Sequence, residues 1–144
     1  MGIFGTSAAI IFDINLVIQL VLLIFLVAGV VLKRPRKRHG IIMASATLAN
    51  LATILLIMGP SLVRNFGAII ADPLSAGAMT TIAHAMLGTI TILLGLLFGF
   101  RFFSATRGSK PLACGTKRMM VVTILLWLVT LSAGLAFYIY YYVL

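Results

Sequence analysis

Four long apolar runs, broken only by short polar segments, constrain this chain more than any other feature. They cover about residues 9–32, 40–63, 77–100 and 117–143. About 20 apolar residues, rising 1.5 Å each as a helix, cross a hydrocarbon core of roughly 30 Å. Hydrocarbon offers no partner to a backbone N–H or C=O, so a crossing segment must satisfy those groups internally, as a helix does. A membrane barrel would need ten-residue segments of alternating character, and these runs are continuous. The sequence therefore predicts an all-α fold, an integral membrane four-helix bundle, with short loops setting neighbours antiparallel in an up-down order. Only 9% of the residues are charged, against roughly 25% in a soluble domain. That is too few to coat a surface facing water.

The net charge of +9 would suit a nucleic-acid binder if it were spread over a face, but its placement argues for topology instead. Lys33, Arg34, Arg36, Lys37 and Arg38 fill the first loop, and Arg101, Arg107, Lys110, Lys117 and Arg118 fill the third. The middle segment holds Arg64, offset by Asp72, and the tails hold no Lys or Arg. Cations concentrate on the cytoplasmic side of membrane proteins. The N-terminus, the middle loop and the C-terminus are expected outside, in a cell membrane, most simply a prokaryotic plasma membrane, with lipid rather than nucleic acid as the partner of the basic loops. Tyr138, Tyr140, Tyr141 and Tyr142 then read as an outer aromatic belt, and Phe100, Phe102 and Phe103 as inner anchors. The first run lacks a basic start and a small-residue cleavage site, so it is expected to stay as a helix rather than act as a leader.

Soluble-enzyme motifs are missing. The sequence has no glycine-rich phosphate loop, no HExxH and no Ser-His-Asp set. Asp13 and Asp72 are its only acidic side chains, thin material for acid–base catalysis. Cys114 stands alone and reads as an idle thiol. Gly95 and Gly99, with Gly88 near the same side of the third helix, are spaced for close helix approach. That stripe suits packing inside the bundle or a homo-oligomer outside it, and internal packing is the expected use.

Polar side chains are costly inside a bilayer and therefore informative. Asp13, Asn15, Gln19, Asn50 and His84 form the short set. His84 lies roughly 10 Å below the outer surface, counting 1.5 Å per residue. Asn15, Gln19 and Met58 are expected near that depth, Asp13 somewhat higher and Asn50 near mid-membrane. Two uses of this layer stay open. One is a hydrogen-bonded cluster that fixes helix register. The other is a haem b or metal site with His84 as a ligand and Met58 as a second axial ligand, since imidazole and thioether both bind haem iron. His39, at the inner mouth of the second helix, sits roughly 24 Å from His84 in depth. The two imidazoles cannot share an iron, and His39 reads as a helix cap or a headgroup ligand beside Arg34, Arg36, Lys37 and Arg38.

Three stretches carry a family resemblance: Lys37 to Met43, Ile82 to Gly88, and Lys117 to Thr123 leading to Trp127, Gly134 and Tyr138. Their order resembles a small four-helix membrane family of unknown general function, one bacterial branch of which assists assembly of haem-copper cytochrome oxidase. The resemblance covers the second to fourth helices. His39, His84 and Trp127 match its pattern, whereas a third imidazole expected before the fourth helix falls on Thr116, so a role needing all three is not implied. The spacing of His84 and Gly88 also resembles two-haem b-type cytochromes, which use four imidazoles where this chain has two. The resemblance implies a non-enzymatic accessory or assembly protein of a respiratory membrane complex, with that complex's subunits as partners. The alternatives are a small b-type haem electron carrier and a small proton-coupled transporter using Asp13.

Overall fold

The computed structural model describes residues 2–5, 7–32, 34–108 and 116–143. Lys33, Lys110 and Cys114 lie outside the described residues, as does the side chain of Tyr140. Among the described residues four helices are long and apolar enough to cross a membrane: Ile10–Val31, Arg36–Ala71, Ala76–Arg107 and Lys117–Ile139, the last continuing as helix to Tyr142. Neighbours in sequence pack side by side, and the fourth helix closes against the first. The first and third helices do not pack on each other, nor do the second and fourth along their backbones. The result is a square up-down arrangement.

The second helix is longer than the sequence suggested. The apolar run ends near Val63, with Gly59-Pro60 loosening its end, and the sequence predicts a loop from Arg64 to Ala76. Instead the helix runs on to Ala71, leaving only Asp72 to Ser75 as the connection. A proline inside a helix lacks one N–H, and its ring crowds the carbonyl four residues back. Here a wide turn over Ile54–Met58 absorbs that conflict, with the Gly59 N–H donating to the Ile54 carbonyl. Wide turns of this kind are a recognised way to carry an insertion or a kink. Gly59 suits the spot because a Cβ there would sit 3.0 Å from that carbonyl oxygen. The 36-residue helix would extend about 54 Å, well beyond a hydrocarbon core. The third helix likewise passes Phe100 and ends at Arg107.

Helix ends follow local chemistry. The Ser75 hydroxyl accepts from the Ala78 N–H and the Thr116 hydroxyl accepts from the Met119 N–H, each satisfying a first-turn donor. The first helix ends beside the basic segment, and its late carbonyl at Gly29 is met by Nδ1 of His39 at 2.5 Å. A side chain of the second helix thus satisfies a carbonyl that the end of the first would leave open.

Small residues set the helix spacing. A Cβ at Gly29 would lie 2.5 Å from the Met43 sulfur, and one at Gly40 would collide with the Phe102 ring. Gly95 receives the Thr47 side chain, and Gly134 receives the His84 ring. Leu22, Leu26, Ala46 and Trp127 form the apolar centre, joining the first, second and fourth helices. Outside, the bundle is apolar: Leu56 and Val63 are 76% exposed and Phe100 is 72% exposed. Phe102 differs from its sequence assignment as an anchor, since it is buried against Gly40. Tyr138 differs in the same way and turns inward.

These contacts set an expected pair of outcomes. Gly40→Ala should destabilise the bundle by about 1–3 kcal/mol, because its methyl must displace a buried ring. Gly67→Ala, where nothing lies within 4 Å, should be neutral or slightly stabilising. Reversible detergent unfolding followed by circular dichroism distinguishes the two.

Candidate functional site

The expected polar layer is built as three separate contacts. The first joins the first and second helices. Gln19 Nε2 donates to Asn50 Oδ1 and to Thr53 Oγ1, both at 3.1 Å, and the Thr53 hydroxyl donates to the Asn50 carbonyl at 2.8 Å. All three residues are buried. The cluster sits directly before the wide turn, so one hydrogen-bonded knot holds the first helix to the irregular part of the second. Thr53 was not singled out from the sequence, because a threonine in an apolar run has no distinguishing neighbours.

The second contact closes the first helix on the fourth. Asp13 has no exposed surface. The Tyr138 hydroxyl donates to its Oδ1, and the Phe4 N–H donates to Oδ2 at 3.3 Å. The rings of Phe12 and Tyr142 stack at 5.7 Å, and the Ser7 N–H and hydroxyl both reach the Tyr142 carbonyl at 3.3 Å. The N-terminal segment thus folds over this end of the bundle. Its turn uses Gly5 at φ 71°, a conformation that favours glycine.

The third contact places His84 between the third and fourth helices. Its ring lies on Gly134, where a Cβ would come within 3.0 Å of Cε1, and it reaches the backbone of Thr130. Its Nδ1 and the Oδ1 of Asn15 are buried without hydrogen-bond partners. Met58, by contrast, is on the wide turn, which packs on the first helix and not on the third. The two residues therefore sit on elements that do not pack directly on each other. Among the described residues no three His, Cys, Asp or Glu side chains converge to hold a metal ion. The glycine stripe of the third helix explains why His84 packs tightly: Gly77 and Gly88 meet Tyr141 and Thr130 of the fourth helix.

Farther along, the same stripe changes partner. Gly95 and Phe102 meet the second helix instead. Toward the basic end this opens a shallow cleft, open on one side and lined from all four helices, with room inside for about 60 Å³. Leu26, Met43, Gly99, Phe102, Ile124 and Trp127 supply its apolar walls, and His39 stands at its basic end. Thr47 and Thr123 also line it, but their hydroxyls donate to the Met43 and Met119 carbonyls of their own helices. The walls are therefore mainly apolar, with the Trp127 indole N–H as a polar group among them. His39 and Trp127 both line this cleft, and His84 does not. Its lining is mostly ordinary apolar helix face, which carries no distinguishing signal in the sequence.

The Tyr138–Asp13 bond generates a test. Tyr138→Phe should lower stability by about 1–3 kcal/mol by leaving a buried acceptor unmatched. In a double-mutant cycle with Asp13→Ala the two losses should fall clearly short of additive. Additive losses in reversible unfolding would show that the two side chains do not interact. Comparison with family models, with curated proteins and with solved structures finds no match for this chain.

Proposed function

We propose that this chain is a multi-pass membrane protein with both termini outside, acting as a non-enzymatic accessory or assembly protein of a respiratory membrane complex. One observation carries the reading. Most of the Asp, Asn, Gln and His side chains within the spans join helices to one another, through Gln19 with Asn50 and Thr53, Asp13 with Tyr138, and His39 with Gly29. What remains on the outside is long and apolar, a surface that lipid or the helices of a larger complex can cover. The resemblance of the stretches around His39, His84 and Trp127 to an oxidase-assembly family supplies the respiratory context.

The alternatives are weaker on geometry. A haem carrier would need His84 and a second ligand facing a common space, and His84 instead rests against Gly134. A transporter would need Asp13 to meet solvent from both sides, and Asp13 is enclosed by Tyr138 and the N-terminal segment.

Purified in detergent, the protein should lack a Soret band, and a tagged copy should carry respiratory-complex subunits with it. A Soret band with a reduced α-band, lost in His84→Ala, would replace this reading with a cytochrome. Proton-coupled efflux lost in Asp13→Asn would replace it with an exporter.

Topology has its own check, in a Cys114→Ser background. Added to intact cells, an impermeant thiol reagent should label Asp72→Cys and spare Arg36→Cys and Arg107→Cys. The reverse pattern would invert the membrane placement.

A further inference from the structure

We infer that the cleft at the basic end holds an acyl chain of an anionic phospholipid, with its phosphate seated between Arg36, His39 and Lys117. The inference uses the membrane placement but not the respiratory role, and its test is read on the isolated protein.

The walls define the tail. Leu26, Met43, Phe102, Ile124 and Trp127 are apolar, and the two threonines in the lining have turned their hydroxyls to their own backbones. Apart from the Trp127 indole N–H and the lone pairs of the two threonine oxygens, the side chains deep in the cleft offer no hydrogen bond, so a strongly polar guest would be dehydrated there with little compensation. A hydrocarbon guest loses nothing. Gly95 and Gly99 keep the third-helix wall low, and nothing lies within 4 Å of where a Cβ on Gly99 would project.

The basic end defines the head. On the second helix the cleft is lined by His39, Gly40, Met43, Ala44 and Thr47, one helical stripe. Arg36 continues that stripe outward, three and four residues before His39 and Gly40, spacings that place side chains on one face. On the fourth helix Met120, Thr123, Ile124 and Trp127 line the cleft, and Lys117 continues that stripe in the same way. Both cations are exposed. His39 donates its Nδ1–H to the Gly29 carbonyl, so its other ring nitrogen is left to face a ligand and donates to a phosphate when the ring is an imidazolium. Arg38, Arg101 and Arg118 add positive charge nearby, while both acidic residues, Asp13 and Asp72, lie toward the opposite end. A basic pocket between membrane helices is a recognised seat for anionic headgroups.

The test titrates the full chain in mild detergent with phosphatidylglycerol, with phosphatidylcholine of the same acyl chains and with inorganic phosphate, reading bound lipid by native mass spectrometry. Phosphatidylglycerol should be retained on the order of tenfold more strongly than phosphatidylcholine, since each nearby cation contributes to anionic-lipid binding. Inorganic phosphate should bind negligibly, because it lacks the chain that fills the cleft. Arg36→Gln with Lys117→Gln should abolish the preference between the two lipids. Gly99→Leu should reduce retention of both lipids by filling the cleft. Equal retention of the two lipids, a preference that survives the double charge replacement, or tight binding of phosphate alone would overturn the proposal. Unchanged retention in folded Gly99→Leu would do so as well. Should Gly99→Leu fail to fold, the charge replacements at the exposed rim still decide the question.

Discussion

Hydrocarbon does not hydrogen-bond, and the interior of this bundle is organised by that constraint. A polar side chain in such a solvent must find a partner within the protein or remain unsatisfied at a cost in free energy. The amide of Gln19 finds Asn50 and Thr53, the carboxyl of Asp13 finds Tyr138 and the Phe4 N–H, and the Gly29 carbonyl finds His39. Each partner lies on another helix or on the N-terminal segment. Because apolar contacts alone discriminate weakly between one helix register and the next, these few directional bonds fix which turn of each helix faces which.

Glycines complete the arrangement by deciding distance. Gly29, Gly40, Gly95 and Gly134 each accept a side chain from the neighbouring helix where a larger residue would push it away. On the third helix the receiving stripe serves the fourth helix near His84 and the second helix near Phe102. That change of partner is why one half of the bundle is closed around Tyr138 and the other contains a cleft beside His39. The irregular turn before Pro60 has a related effect, since it lets a helix continue through a residue that would otherwise end it.

The candidate site was legible only in part. The intramembrane polar residues stood out because they are rare, and the contact between Gln19 and Asn50 lies among those singled out. Gln19, Asp13 and His84 each meet a different neighbour, because depth along a helix axis says nothing about direction around it. Tyr138 and Phe102 were assigned to interfaces because aromatic residues near span ends usually anchor there. Both turned inward because an acceptor on Asp13 and a gap at Gly40 were waiting for them. Neither partner can be identified from local sequence.

What the sequence determined by itself is the number and type of elements. Runs of about 20 apolar residues admit little besides membrane helices. The reach of the second helix past Gly59-Pro60, the splitting of the polar residues into three contacts and the cleft beneath His39 were decided by tertiary structure. Each depends on which faces of separate helices meet, and that is set by side-chain fit between residues far apart in the chain rather than by any one segment's composition.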